Sequence, residues 1–555
     1  MVPTTNPKDR DDNPGNRIMK DKKNTRRWNL IPVAVILVLL PACGPAAAPP
    51  ASDAQGYDVV LRGGRVLDGT GSPWIFADVG IRDGRIAFVG DLAEGEASEV
   101  IDVSGLYVAP GFIDTHSHSG NGLDTPELSH ARPLLAQGLT TVFVNPDGGG
   151  MADIAAQREL FLRDGLGVNV AQFVPQGSVR REAMGSDDRA PTPEELERMR
   201  ALVRTGMEEG AFGLSSGTFY APGSFATNDE IIELAKEVAP FGGAYQSHPR
   251  DESSYGIGVL AASEEIIDVG RQAGIPTVIT HVKALGPEVW GSSVAMVDAY
   301  RQAREEGVQV YTDQYPYHAS STGLIAALLP RWVEGGGRDS MVARLENPEL
   351  REEIEAGMLR NLARRGGADR IQFRRFEPDP SIEGRLLSEV AAEAGVDPIA
   401  YSIELFKQGS PGIVSFNMTE TDIRHLMVQP WNMTSSDGAL PEWQVGVPHP
   451  RAYGAFPRKI RMYVVEQGVV GLGDAIRSMT SLPAQVFDLR DRGLLDEGRV
   501  ADIVVFDLDR LTDRATFTEP HQLSEGMVHV MVNGRFALRD GAFTGELPGE
   551  VLRKR

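Results

Sequence analysis

The chain has 555 residues, 24% of them charged and 41% hydrophobic, with a mean hydropathy of −0.20. That composition excludes a multi-span membrane protein and a largely disordered one. A formal charge of −22 and an isoelectric point near 5.0 repel phosphate backbones, so nucleic acid is not an expected partner. The single cysteine excludes an internal disulfide, a thiolate zinc cage and an iron–sulfur cluster.

Residues 1–42 read as an export signal. Lys20, Lys22, Lys23, Arg26 and Arg27 precede an apolar run at 31–40, too short to span a bilayer but suited to a signal-peptide core. The run ends in LPAC at 40–43, which resembles a bacterial lipobox. The expectation is cleavage before Cys43, lipidation of its sulfur, and a lipid-anchored protein on the periplasmic or cell-surface side. Thr25, Arg26 and Arg27 resemble part of a twin-arginine signal, and Met19 is an alternative start. Residues 43–56, rich in Pro and Ala, read as a stiff tether.

From residue 57 the chain turns β-rich, with DVVLRGGRVL at 58–67 and ADVGIRDGRIAFVG at 77–90. Short β-branched runs broken by Gly-Gly and Asp-Gly predict hairpins. The texture returns in ADIVVFD at 501–507 and VHVMVNGR at 528–535, so segments 57–108 and 491–555 are expected to join into one small β-sandwich domain. Between them, strand-like runs at 106–115, 140–144, 168–174, 211–215, 243–247, 277–280, 308–312 and 433–436 alternate with helical patterns such as 193–209, 228–238, 264–273 and 293–306. Eight such units predict an α/β fold, a closed (β/α)8 TIM-like barrel over 109–490. The gap at about 328–412 reads as an insertion carrying helices near 348–365 and 386–394.

In a barrel of this kind, reactive groups stand at the C-terminal ends of strands. GFIDTHSH at 111–118 follows an apolar strand, and alternation along it puts His116 and His118 on one side, where they can chelate one ion. His248 ends GAYQSH, His281 ends PTVITH, and Asp437 ends the last strand in TSSDG. His130, His425, His521 and His529 lack such placement and read as structural. His318, just after Tyr315, reads as a residue of the pocket lining.

Four histidines and a late aspartate on strand ends resemble the metal-dependent amidohydrolase superfamily. The segments GPEVWG (286–291), DQYPYHASSTG (313–323), HPRAYGAFPR (449–458) and MTSLPA (479–484) narrow the resemblance to the N-acyl-D-amino-acid deacylases, or D-aminoacylases. It extends from about residue 57 to the C-terminus. It implies a barrel plus β-sandwich, zinc, and hydrolysis of a linear N-acyl amide, with the D stereochemistry implied by the resemblance alone.

Some members of that family place a metal-binding cysteine after a Gly-hydrophobic-Thr-Thr-Val run. Here GLTTVFVNPD at 138–147 puts Asp147 in that position, a harder ligand able to bridge two ions. The fourth strand's end, LSSGTFY at 214–220, offers no lysine of the kind many binuclear amidohydrolases modify, so one tight metal and a weaker second are expected. The resemblance assigns substrate-carboxylate recognition to Lys283, Tyr315 and Arg451. The expected mechanism has metal on His248, His281 and Asp147, with His116 and His118 at the same or an adjacent site. Asp437 then takes a proton from the attacking water and returns it to the leaving amine. The alternatives are another amidohydrolase reaction, on a cyclic amide or a dipeptide, and a non-catalytic solute-binding lipoprotein.

Overall fold

Asx-Gly pairs shape the β-rich end of the molecule. Asp83–Gly84, Asn533–Gly534 and Asp540–Gly541 all take positive φ at both residues, the requirement of the tight turns that match strand twist. In the computed structural model, which describes residues 56–92 and 97–555, the first turn joins strands Ile75–Arg82 and Arg85–Gly90. The second joins Met527–Val532 to Arg535–Arg539. The two chain ends meet where Ile503–Phe506 pairs antiparallel with Tyr107–Pro110, closing one nine-stranded sheet. Alternation along Ile503–Phe506 explains its position. Ile503 and Val505 face a core with Leu61, Val79 and Ile81, while Val504 and Phe506 face the barrel side with Phe112 and Phe456.

The apolar run at 106–115 is not one strand. It splits into Tyr107–Pro110, which belongs to the nine-stranded sheet, and Phe112–Asp114, the first strand of the barrel. Gly111 is the joint. A Cβ there would lie 2.2 Å from Thr140 Oγ1, and its N–H bonds to Asp502 O across the sheet. Both pieces are apolar, so the pattern of hydrophobic residues does not mark the break.

The remaining barrel strands are Leu139–Val144, Asn169–Gln172 continuing as Val174–Pro175, Gly213–Gly217, Ala244–His248, Thr277–Ile279, Val310–Gln314 and Asn432–Thr434. Neighbours pair in parallel, in sequence order, from the first to the eighth. The eighth returns to the first through Asp437 N–H to His116 O at 2.9 Å and His118 N–H to Gly438 O at 2.9 Å. The barrel therefore closes at the residues of interest.

The insertion begins earlier than residue 328. Ser320–Gly323 pairs with Gly412–Ser415, which pairs with Ile371–Arg375, and five α-helices between the first and last of these segments in sequence enclose a separate core around Met358, Phe373 and Phe406. The helix expected at 264–273 also starts earlier, at Val259.

Beneath the eighth strand, Lys459 is buried and donates to Thr434 Oγ1 and Ser478 Oγ at 2.8 and 2.9 Å. Burial pushes its ammonium down to about 7 from 10.5. The unfolded chain holds this proton more tightly, so the cost is full below pH 7 and gone above pH 10.5, and stability should rise across that window. Lys459→Met should stabilise the fold most near about pH 6, by on the order of a few kcal/mol, and least near about pH 10, read as the rise in melting temperature. A variant less stable than the parent at the lower pH would show that the ammonium's hydrogen bonds outweigh its burial.

Candidate metal centre

The strand ends converge on a cavity of about 570 Å³. His116, His118, Asp147 and Asp437 form one group of atoms able to hold an ion, and Asp147, His248 and His281 form a second that shares Asp147. His116 Nε2 lies 3.3 Å from Asp147 Oδ1, and His118 Nε2 lies 3.3 Å from Asp147 Oδ2 and 3.2 Å from Asp437 Oδ1. On the other side, His281 Nε2 and His248 Nδ1 stand 3.5 and 3.9 Å from Asp147 Oδ1. The carboxylate of Asp147 thus faces all four imidazoles.

Backbone conformation aims these groups. Asp147, His281 and Asp437 take φ of 55°, 36° and 48°, a region uncommon outside glycine in which aspartate and histidine are among the more frequent exceptions. Two buried carboxylates hold the strained ends. Asp313 Oδ1 accepts from His281 N–H at 2.8 Å and from Ser435 Oγ at 2.7 Å. Asp114 accepts from His116 N–H, Ser436 N–H and Ser436 Oγ, tying the first strand to the eighth. Burial raises the Asp114 carboxyl to about 6, with those hydrogen bonds pulling against it.

Several buried polar atoms here have no hydrogen-bond partner: His116 Nε2, both ring nitrogens of His248, and Asp147 Oδ1. Buried groups left unpaired are costly, and cations held by the two groups would engage His116 Nε2, one ring nitrogen of His248 and Asp147 Oδ1. Imidazole and carboxylate are the donors a divalent ion such as zinc takes. Burial works against charge on Asp147, yet His116, His118 and His281 hold its carboxyl well below the usual range. Asp437 is held down in the same way, against burial, chiefly by Arg451. Burial pushes His248 down to about 3, keeping its ring neutral and free to donate a lone pair.

The three residues expected to recognise a carboxylate line the same cavity, but each is engaged. Arg451 Nη1 donates to Asp437 Oδ2 at 2.6 Å, and its guanidinium lies 4.6 Å above the Tyr315 ring. Lys283 Nζ is ion-paired to Glu252 Oε1 and lies 2.8 Å from His281 Nδ1. The Tyr315 hydroxyl turns to Met418 Sδ at 3.7 Å, so its ring, and not its hydroxyl, supports the cations. His318 does not line the cavity; its ring packs between Phe416 and Phe517.

Other residues at the site escape the sequence reading. Glu252, four residues after His248, is buried, with Oε1 3.1 Å from His281 Nδ1 and Oε2 3.5 Å from His248 Nε2. A carboxylate behind the ring is the arrangement that fixes the orientation of a ligating imidazole. His449 accepts Arg451 N–H on Nδ1 at 3.0 Å and reaches Ala319 O from Nε2 at 3.0 Å, anchoring the start of the arginine's helix. Tyr220, with its ring 4.7 Å from that of His248, also borders the cavity. Only the four-residue spacing from His248 to Glu252 carries a sequence signal.

Strand-end histidines and aspartates sharing one carboxylate define a metal-site hydrolase barrel, and the family model described as the amidohydrolase family matches residues 99–537. The chain belongs to that family. A D-aminoacylase of Alcaligenes xylosoxydans xylosoxydans is 35% identical over 529 residues, covering 91% of this chain and 99% of the relative. The crystal structure of N-acyl-D-glutamate deacylase from Bordetella bronchiseptica, with zinc and a phosphonate mimic of the tetrahedral intermediate, superposes with a TM-score of 0.77. Identity is 34%, with coverage of 90% of this chain and all of the other. A D-aminoacylase structure described for one-metal activation and second-metal attenuation of its binuclear centre gives a TM-score of 0.76 at 33% identity, with coverage of 90% and 100%.

Proposed function

We propose that the protein is a zinc-dependent hydrolase that cleaves the amide of N-acyl-D-amino acids to a carboxylic acid and a free D-amino acid. The observation that carries this reading is the pair of ion-holding groups sharing Asp147, with an arginine-paired aspartate beside them, in a chain that matches D-aminoacylase over nearly its full length.

In this reading His248, His281 and Asp147 hold the tighter zinc, and His116 and His118 form a weaker second site with the same aspartate. Zinc, when bound, lowers the pKa of water and polarises a carbonyl. Asp437 is ionised across the working pH range, and its Oδ1 faces the histidines while Oδ2 holds Arg451. It accepts the water proton on Oδ1 and returns it to the amine nitrogen as the C–N bond breaks. Arg451, steadied by Asp437, Tyr315 and His449, offers the rest of its planar fork to the substrate carboxylate. Lys283 adds positive charge while Glu252 fixes both it and His281.

Release of free amine from paired N-acetyl-D- and N-acetyl-L-amino acids, with a hydantoin and a dipeptide alongside, tests the reading. Turnover confined to the D-N-acetyl compounds is the expected result. Preferred turnover of the hydantoin or the dipeptide would assign the chain to another amidohydrolase reaction.

Export and anchoring at Cys43 rest on sequence; residues 1–55 lie outside the described residues. Among the described residues no helix is long and apolar enough to cross a membrane. Cys43→Ser should abolish palmitate labelling and lower the membrane-bound fraction while sparing amine release. Labelling that survives would end the lipoprotein reading.

A further inference from the structure

Charge within the cavity is unevenly matched. Of the buried or half-buried cations that line it, Lys283 is paired with Glu252 and Arg451 with Asp437, while Arg365 has no ion pair among the described residues but donates Nε to Ala327 O at 3.4 Å. Arg374 is different. It belongs to the inserted three-stranded sheet, where its backbone is fixed by Val447 N–H bonding to its carbonyl at 2.8 Å. Its side chain makes no hydrogen bond and no ion pair among the described residues, and its Nε is buried without a partner. Room for the guanidinium comes from Gly412, where a Cβ would stand 2.8 Å from Nη2. Burial and the nearby charge of Arg451 both disfavour the cation. A half-buried guanidinium without a counter-charge, in a cavity that receives substrate, is a binding group waiting for an anion.

A monocarboxylate substrate brings one negative charge, which the Arg451 fork receives. Arg374 would remain unmatched. We propose that Arg374 binds a second carboxylate on the substrate, so that the preferred substrates are N-acyl derivatives of acidic D-amino acids, glutamate or aspartate, over those with neutral side chains. The proposal rests on the deacylase reading above and names the substrate class of that same site. Because Arg374 stands on the insertion and not on a barrel strand, the side-chain preference is set apart from the metal and proton-transfer groups.

The test compares kcat/KM of the zinc-loaded full chain on N-acetyl-D-glutamate and on its neutral isostere N-acetyl-D-glutamine, for the parent, Arg374→Met and Arg374→Lys. The parent should prefer the glutamate by about tenfold or more, Arg374→Met should bring the ratio near one, and Arg374→Lys should restore part of it. A parent that favours the glutamine would overturn the proposal. So would an equal loss on both substrates in Arg374→Met, which would mean that Arg374 shares the α-carboxylate. If no N-acyl-D-amino acid is hydrolysed at all, the deacylase reading fails separately, and achiral probes then decide the role of Arg374. Glutarate should bind more tightly than its monoamide to the parent and equally to Arg374→Met; no difference in the parent would overturn the proposal.

Discussion

Asp437→Asn should lower kcat by about 10²–10⁴-fold while leaving zinc content and the fold in place. Asparagine keeps the shape of the side chain and tolerates the left-handed backbone at this position, where φ is 48°. It cannot accept the water proton. The substitution also removes the carboxylate that grips Arg451 at 2.6 Å, so KM for the substrate should change together with kcat. Asp437 Oδ1 also lies 3.2 Å from His118 Nε2, among atoms able to hold an ion, and metal analysis therefore separates two roles. Lost zinc would make Asp437 mainly a ligand. Near-normal kcat with full zinc would remove the proton shuttle from the mechanism.

Asp147 carries the other large effect. Its carboxylate belongs to both ion-holding groups, so Asp147→Ala should deplete metal from both and lower zinc affinity by more than about 10²-fold, with activity falling in step. Alanine at φ 55° also strains the backbone, and Asp147→Asn serves as the control that keeps the turn but removes the charge. Both variants should lose metal. Full occupancy and normal rate in either would show that Asp147 is a turn residue and that the imidazoles hold the ion without it. Asp147→Cys, which offers a softer ligand, should retain zinc.

The parts of the site readable from sequence are those that sit at a regular place. His116, His118, His248, His281 and Asp437 each close a strand-like run, and a parallel barrel sends all such ends to one face. Asp147 follows its strand by three residues and reaches the centre only because Asn145 and Asp147 both take positive φ, a local turn that no periodicity reveals. The supporting carboxylates are less visible. Asp114 and Asp313 look like ordinary polar residues in apolar runs, and their partners, Ser436 and Ser435, lie 322 and 122 residues away. Arg374 is more remote still: it is one of two adjacent arginines on an inserted segment, and only the tertiary fold turns it to the cavity. The barrel itself was legible from its alternation of strands and helices. Its first strand was not, since the apolar run continues unbroken through Gly111 while the hydrogen-bond partners change from one sheet to another.

The insertion shows a related limit. Its helices announce themselves by period, but its sheet is made of short segments 37 residues apart in sequence at their closest, from Arg375 to Gly412, with Ser320–Gly323 lying upstream of the expected boundary. Ion pairing inside the cavity was equally hidden. Lys283 and Arg451 are cations beside strand ends in the sequence, and the structure shows that Glu252 and Asp437 already hold them, which directs attention to Arg374, whose side chain makes neither a hydrogen bond nor an ion pair among the described residues.

The most direct measurement is a zinc titration of chelator-treated protein, following amine release from an N-acetyl-D-amino acid. The account predicts no turnover after chelation and full recovery as the first equivalent of zinc fills the site at His248, His281 and Asp147. Undiminished turnover in the metal-free protein, or zinc uptake without any return of amine release, would contradict it.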